Sequence, residues 1–182
     1  KLSAMRNRVF LALVLCVTLI TTGFAQNKKA AKVNLDEQIK LNGKVRTGKL
    51  DNGLTYYVRA NNKPANRAEF QIAINAGSVL EEANEVGLAH FTEHMGFNGT
   101  KHYPGNTMID DLEKEGIVFG REINAYTGFD QTVYMVTLPT DNSRLFDMGL
   151  KILDGWASGM LMTGEEIDKE RGVIIEEWRM SQ

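Results

Sequence analysis

The sequence predicts an α+β fold in which helices pack on one face of a largely antiparallel sheet. Three observations carry that prediction. Short β-rich runs and amphipathic runs follow one another in the order β-β-β-α-α-β-β-α-α along 182 residues. Two of the strand pairs are joined by short turn sequences, as antiparallel neighbours are. Two of the helical runs, Thr107 to Glu115 and the one carrying Leu145 to Trp156, show an apolar stripe, as helices packed on a sheet do. With 43% hydrophobic and 24% charged residues the composition is that of a globular protein able to build one good-sized core.

At the N-terminus, Arg6 and Arg8 precede an apolar run from Val9 to Ile20, followed by Thr21-Thr22-Gly23-Phe24-Ala25. A basic start, an apolar stretch of this size and a small residue at its end describe a secretory leader, with Met5 as the expected start and cleavage after Ala25. The run falls short of the roughly 20 residues that a bilayer needs. The expectation is therefore an exported protein, periplasmic or secreted, with no membrane association after cleavage. The one cysteine, Cys16, lies inside the leader, which leaves no thiol for a disulfide or a metal. The leader removes Lys1, Arg6 and Arg8 and no acid, so the remainder is more acidic than the net −2 of the whole chain. No basic patch stands out, which argues against a nucleic-acid partner.

Residues 26–43 are polar without a period and read as a linker into a domain spanning 44–182. Lys44 to Leu50 and Leu54 to Arg59 flank Asp51-Asn52-Gly53, a hairpin signal. The alternation from Ala68 to Asn75 predicts a strand with one buried face, ended by Gly77. A helix is expected from about Glu85 to Gly96, and a second from Thr107 to Glu115, striped by Met108, Ile109 and Leu112 and stopped by Gly116. Ile123 to Tyr126 and Gln131 to Leu138 predict a second hairpin. Leu145, Met148, Ile152 and Trp156 recur at helical spacing and mark a core-facing helix up to about Gly159. The last helix opens at Thr163, with Glu166 placed to close a capping box.

The chemistry is concentrated in His90-Phe91-Thr92-Glu93-His94, which reads H-x-x-E-H and opens inside the apolar run Val86 to Phe91. On a helix, histidines four residues apart lie one above the other with Glu93 beside them. Two imidazoles suit zinc, and an adjacent carboxylate can take a proton from water for amide hydrolysis. Glu93 is therefore the candidate general base. A catalytic zinc wants a third protein ligand. His102 sits in a Gly- and Pro-rich stretch that reads as a surface loop. Glu170 and Glu177 lie two helical turns apart on one face beside Ile174, so either can supply a carboxylate, and a solvated face is the alternative reading.

The stretch Gly87 to Thr100, with its His90-Phe91-Thr92-Glu93-His94-Met95-Gly96-Phe97 centre, resembles the zinc segment of the pitrilysin/insulinase family of inverted zinc metallopeptidases. Asn124-Ala125-Tyr126-Thr127 resembles the family's Asn-Ala-aromatic-Thr strand, and Glu170-Arg171-Gly172-Val173-Ile174-Ile175-Glu176-Glu177 its Glu-Arg-x-x-Val-x-x-Glu helix. The resemblance implies Zn²⁺ held by His90, His94 and Glu177, with Glu170 supporting the site from the outer shell and Glu93 as general base. It implies a peptide substrate lying extended along the strand formed by Asn124, Ala125, Tyr126 and Thr127. Glu176, about 100° further round the helix, is expected to point elsewhere. Family members are longer and built from repeated domains, so the expected partners are later domains or a partner subunit, and the 44–182 domain is expected to be incomplete at its C-terminus. The functional expectation is a zinc endopeptidase acting on peptides or unfolded polypeptides outside the cytoplasm. The alternative is a non-catalytic peptide-binding subunit or an inactive fragment of such an enzyme.

Overall fold

The computed structural model describes residues 36–181. The expected leader and residues 26–35 of the expected linker lie outside them. The chain divides into two compact units, Lys1–Arg59 and Ala60–Gln182.

In the first unit, β1 (Val45–Lys49) and β2 (Thr55–Arg59) pair antiparallel from Val45↔Arg59 to Lys49↔Thr55. The Asn-Gly step makes the turn as its chemistry predicts. Asn52 Oδ1 accepts the Leu54 N–H at 3.1 Å, and Gly53 donates its own N–H to the Leu50 carbonyl at 2.9 Å. These two strands form a sheet of their own rather than joining the strands that follow.

The second unit is built on β3 (Arg67–Ile74), β4 (Ile123–Thr127) and β5 (Thr132–Pro139), in the order β3-β5-β4. Both pairings are antiparallel, running from Arg67↔Pro139 to Ile74↔Thr132 and from Ile123↔Val136 to Thr127↔Thr132. The central strand, β5, is the most apolar and the most buried, as a strand with neighbours on both sides must be. β4 is left at one edge.

Four helices follow the expected order: α1 (Leu88–Met95), α2 (Thr107–Lys114), α3 (Ser143–Ser158) and α4 (Gly164–Met180). A 3-10 turn at Ser78–Leu80, which periodicity did not suggest, precedes α1. The stripe Leu145, Met148, Ile152 and Trp156 is buried, and α3 packs on β3 and β5. Val136, Leu138 and Leu112 meet it in one cluster. Burial of each such side chain contributes about 1.5–3 kcal/mol, so this cluster is what holds the sheet and α3 together. The α+β class is borne out. At α4, Thr163 caps as expected by accepting the Glu166 N–H, but Glu166 turns its carboxylate to Lys169 at 3.0 Å instead of closing the box.

Candidate metal centre

Helix α1 starts three residues later than the expected Glu85. The chain before it is spent on a turn in which Glu85 accepts the Leu88 N–H at its carbonyl and the Glu82 N–H at its carboxylate. Gly87 then takes φ +94°, a conformation that favours glycine, and has no side chain with which to cap the helix. The carboxylate of Glu81 does so from six and eight residues away, accepting the N–H groups of Gly87 at 2.9 Å and Ala89 at 2.7 Å. These two bonds hold the Glu81 carboxyl below its ordinary value.

The other end of α1 is held by two aromatic side chains. Tyr134 donates its hydroxyl to the Thr92 carbonyl at 3.2 Å, and Trp156 donates Nε1–H to the Gly96 carbonyl at 3.0 Å. Their rings stack, with centroids 5.2 Å apart. Gly96 must lack a side chain, because a Cβ there would fall 2.5 Å from the Tyr134 ring. Burial, with the Glu93 charge adding, pushes the Tyr134 phenol well above its usual value, so it remains a donor.

Within this frame the Nε2 atoms of His90 and His94 lie 3.1 Å apart. Glu177 Oε2, delivered by α4, is 3.6 Å from the first and 3.5 Å from the second. Among the described residues these three form the group able to hold a metal ion, with ligand atoms within 4.8 Å of one another. A tetrahedral zinc with bonds of about 2.05 Å sets its donors about 3.3 Å apart. The three separations therefore fit that ion. His94 Nδ1 donates to Glu170 Oε1 at 2.7 Å, which fixes the tautomer that leaves Nε2 as a ligand atom. Asn98 donates its side-chain amide to the other oxygen of Glu170.

Glu93 is buried, at 8% exposure, and Thr127 Oγ1 donates to its Oε2 at 2.6 Å. A cavity of about 470 Å³ opens here, lined by Glu93, His94, Glu170 and Glu177 and by Asn98, Asn124 and Phe97. Each residue expected from the sequence has a distinct place. His90, His94 and Glu177 converge, Glu170 sits behind His94, and Glu93 is beside them. Of the strand residues, Asn124 lines the cavity and Thr127 is bonded to Glu93. Ala125 packs against the core, and Tyr126 is exposed. Glu176 pairs with Arg179 at 2.5 Å, away from the group. His102 bonds to Asp154 at 2.6 Å and stands apart from the triad. That contact and the neighbouring Lys101 hold the Asp154 carboxyl below its ordinary value.

Sequence reasoning gave no site role to Glu81, Asn98, Tyr134 or Trp156, the last of which it named as a core residue. Asn98 adjoins the motif and carried a signal, being a polar residue between Phe97 and Gly99. Tyr134 and Trp156 meet α1 from more than forty residues away, too far for a local pattern to show, and Glu81, six and eight residues from its partners, lies before the expected start of the helix with no pattern to single it out.

The model of the insulinase family of peptidases, family M16, matches residues 56–182. A probable zinc protease, PqqL, of Escherichia coli is 44% identical over 178 residues, which is 98% of this chain and 18% of that protein. Its namesake in Haemophilus influenzae is 42% identical over 135 residues, covering 74% of this chain and 15% of that one. The chain thus spans less than a fifth of the length of these curated relatives. Among solved structures, the first half of the periplasmic protease PqqL from Escherichia coli superposes with a TM-score of 0.75 at 44% identity, over 79% of this chain and 31% of that chain. Pitrilysin, at 22% identity and a TM-score of 0.65, over 75% of this chain and 14% of that one, shares the fold. With its family model matched over more than half its length, this chain belongs to the insulinase family of peptidases, M16.

Proposed function

We propose that the chain carries the zinc site of an exported endopeptidase that cleaves peptides or unfolded polypeptides. The convergence of His90, His94 and Glu177 at zinc-like separations, with Glu93 beside them, is the observation that carries the reading. In this reading residues 1–25 are a leader, 26–43 a linker and 44–182 the peptidase domain. The periplasmic relative supports export, and the relatives' greater length supports further domains or a partner subunit that completes the substrate chamber.

The two imidazoles of His90 and His94 and the Glu177 carboxylate would hold a zinc ion, which when bound would supply Lewis acidity. The protein's own part is orientation and proton transfer. Thr127 engages Oε2 of Glu93, leaving Oε1 to take a proton from the attacking water and to pass it to the departing amine. Glu170 and Asn98 keep His94 in the ligand tautomer. An extended peptide adds to the free side of β4, where Asn124 faces the cavity and the strand edge offers main-chain groups. Such pairing is tolerant of sequence, so selectivity is broad.

Two measurements test this. Metal analysis of the 182-residue chain should find one zinc, and a quenched peptide should be cleaved by the longest natural polypeptide containing the chain. Cleavage should stop with a chelator and in Glu93→Gln, while zinc stays bound in that variant. Zinc without cleavage would instead make this a non-catalytic peptide-binding subunit, and absence of zinc would end the metal reading.

A further inference from the structure

Helices α3 and α4 begin with side chains of their own, Asn142 and Thr163, accepting N–H groups of the first turn. The metal helix does not. Its N-cap is Gly87, its first turn holds no acid, and the two side-chain bonds to main-chain N–H groups at its start come from Glu81. One carboxylate oxygen is spent on each, and the nearer N–H belongs to Ala89, the residue before His90.

Glu81 is itself held in place. The 3-10 turn just before it is tied to the β4–β5 turn, with Ser78 donating to the Gly128 carbonyl at 3.1 Å and Val79 to the Phe129 carbonyl at 2.9 Å. That turn follows directly on Thr127, whose hydroxyl reaches back to Glu93 in α1. A closed circuit of hydrogen bonds thus runs from Glu93 through Thr127, the β4–β5 turn, the 3-10 turn and Glu81 to the start of α1. It grips the helix on both sides of His90.

We propose that Glu81 is a positioning residue of the metal centre: its carboxylate sets where α1 begins, and so brings His90 into register with Glu177 and Glu93 into register with Thr127. The inference rests on the zinc reading of the triad. Without Glu81 the first turn loses its cap, unwinding from Gly87 competes with the ligand geometry, and His90 is the first ligand affected.

The test compares Glu81→Ala and Glu81→Gln with Asn142→Ala, which removes the side-chain cap of α3, a helix that supplies none of the ligands. Zinc affinity is measured by chelator competition well below each variant's unfolding temperature, and amide exchange is followed along α1 in metal-free protein. Loss of a cap corresponds to about a fivefold weaker zinc Kd for Glu81→Ala. Glu81→Gln keeps the length and one acceptor and should fall between it and wild type. Exchange should rise at Gly87, Ala89 and His90 in both Glu81 variants, and Asn142→Ala should move neither readout. Zinc affinity and α1 exchange equal to wild type in Glu81→Gln and Glu81→Ala would overturn the proposal, as would an equal response in Asn142→Ala. Should wild type bind no zinc, the metal reading fails separately, and the exchange data still decide whether Glu81 fixes the start of α1.

Discussion

Helix α1, eight residues long, supplies two of the proposed ligands and is gripped by Glu81, Thr127, Tyr134 and Trp156 from three other parts of the chain. Helix α4, seventeen residues long, supplies the third and has no buried residue. Its half-buried positions, Glu166, Ile167, Glu170, Ile174 and Glu177, form one stripe, and the helix it packs against is α1. Glu170 and Glu177 are both in that stripe, so the contacts that dock α4 are largely those that build the site. One half of the centre is fixed by the fold, and the other is fixed by the centre. A metal bound here therefore acts as a joint as well as a reagent.

That contrast can be broken most directly at His94, which touches both Glu170 and Glu177. His94→Ala should weaken zinc binding by more than the ~100-fold that marks the upper range for an outer-shell partner. It should also raise amide exchange throughout α4 while leaving the Tyr134 and Trp156 end of α1 protected. Equal loss of protection in the two helices would mean that they are anchored alike.

A smaller effect is expected at Glu170. Glu170→Gln should cost about 10–100-fold in zinc affinity, and limited proteolysis of the metal-free protein should cut sooner within α4. Added zinc should restore resistance. Undiminished zinc affinity would remove Glu170 from the site.

The mildest test uses acid on the metal-free protein. Main-chain N–H groups lower the folded pKa of Glu81, so its contribution is complete above the unfolded value of about 4.3 and is lost as pH falls through the lower folded value. Protection at Gly87 and Ala89 should then persist through mildly acidic solution and decline only below about pH 4. Glu81→Gln should flatten that decline. A loss centred near neutrality would point to another group.

The sequence made the local half of this picture visible. Two histidines and a glutamate within five residues need only the helical repeat to be seen as one surface, and the α3 stripe needs only its period. Glu177 was named by resemblance, since helix geometry alone left it level with Glu170. The start of α1 was placed too early because Val86 extends the apolar pattern of Leu88 and Ala89. In the fold it is 80% exposed, and the turn at Gly87 interrupts the helix. Thr127 was grouped with strand residues facing a peptide, yet its hydroxyl is bonded to Glu93. Such bonds depend on register between β4 and α1, which no periodicity encodes.

The stack of Trp156 on Tyr134 has a practical consequence. The chain holds two tryptophans, and they fall on opposite sides of the contrast drawn above. Trp156 is 2% exposed beneath α1, and Trp178 is 62% exposed on α4, next to Glu177. Burial of one and exposure of the other should separate them in emission colour and in access to a dissolved quencher. A fluorimeter can therefore follow the seating of each helix in unlabelled protein, one through the blue edge of the spectrum and the other through the red.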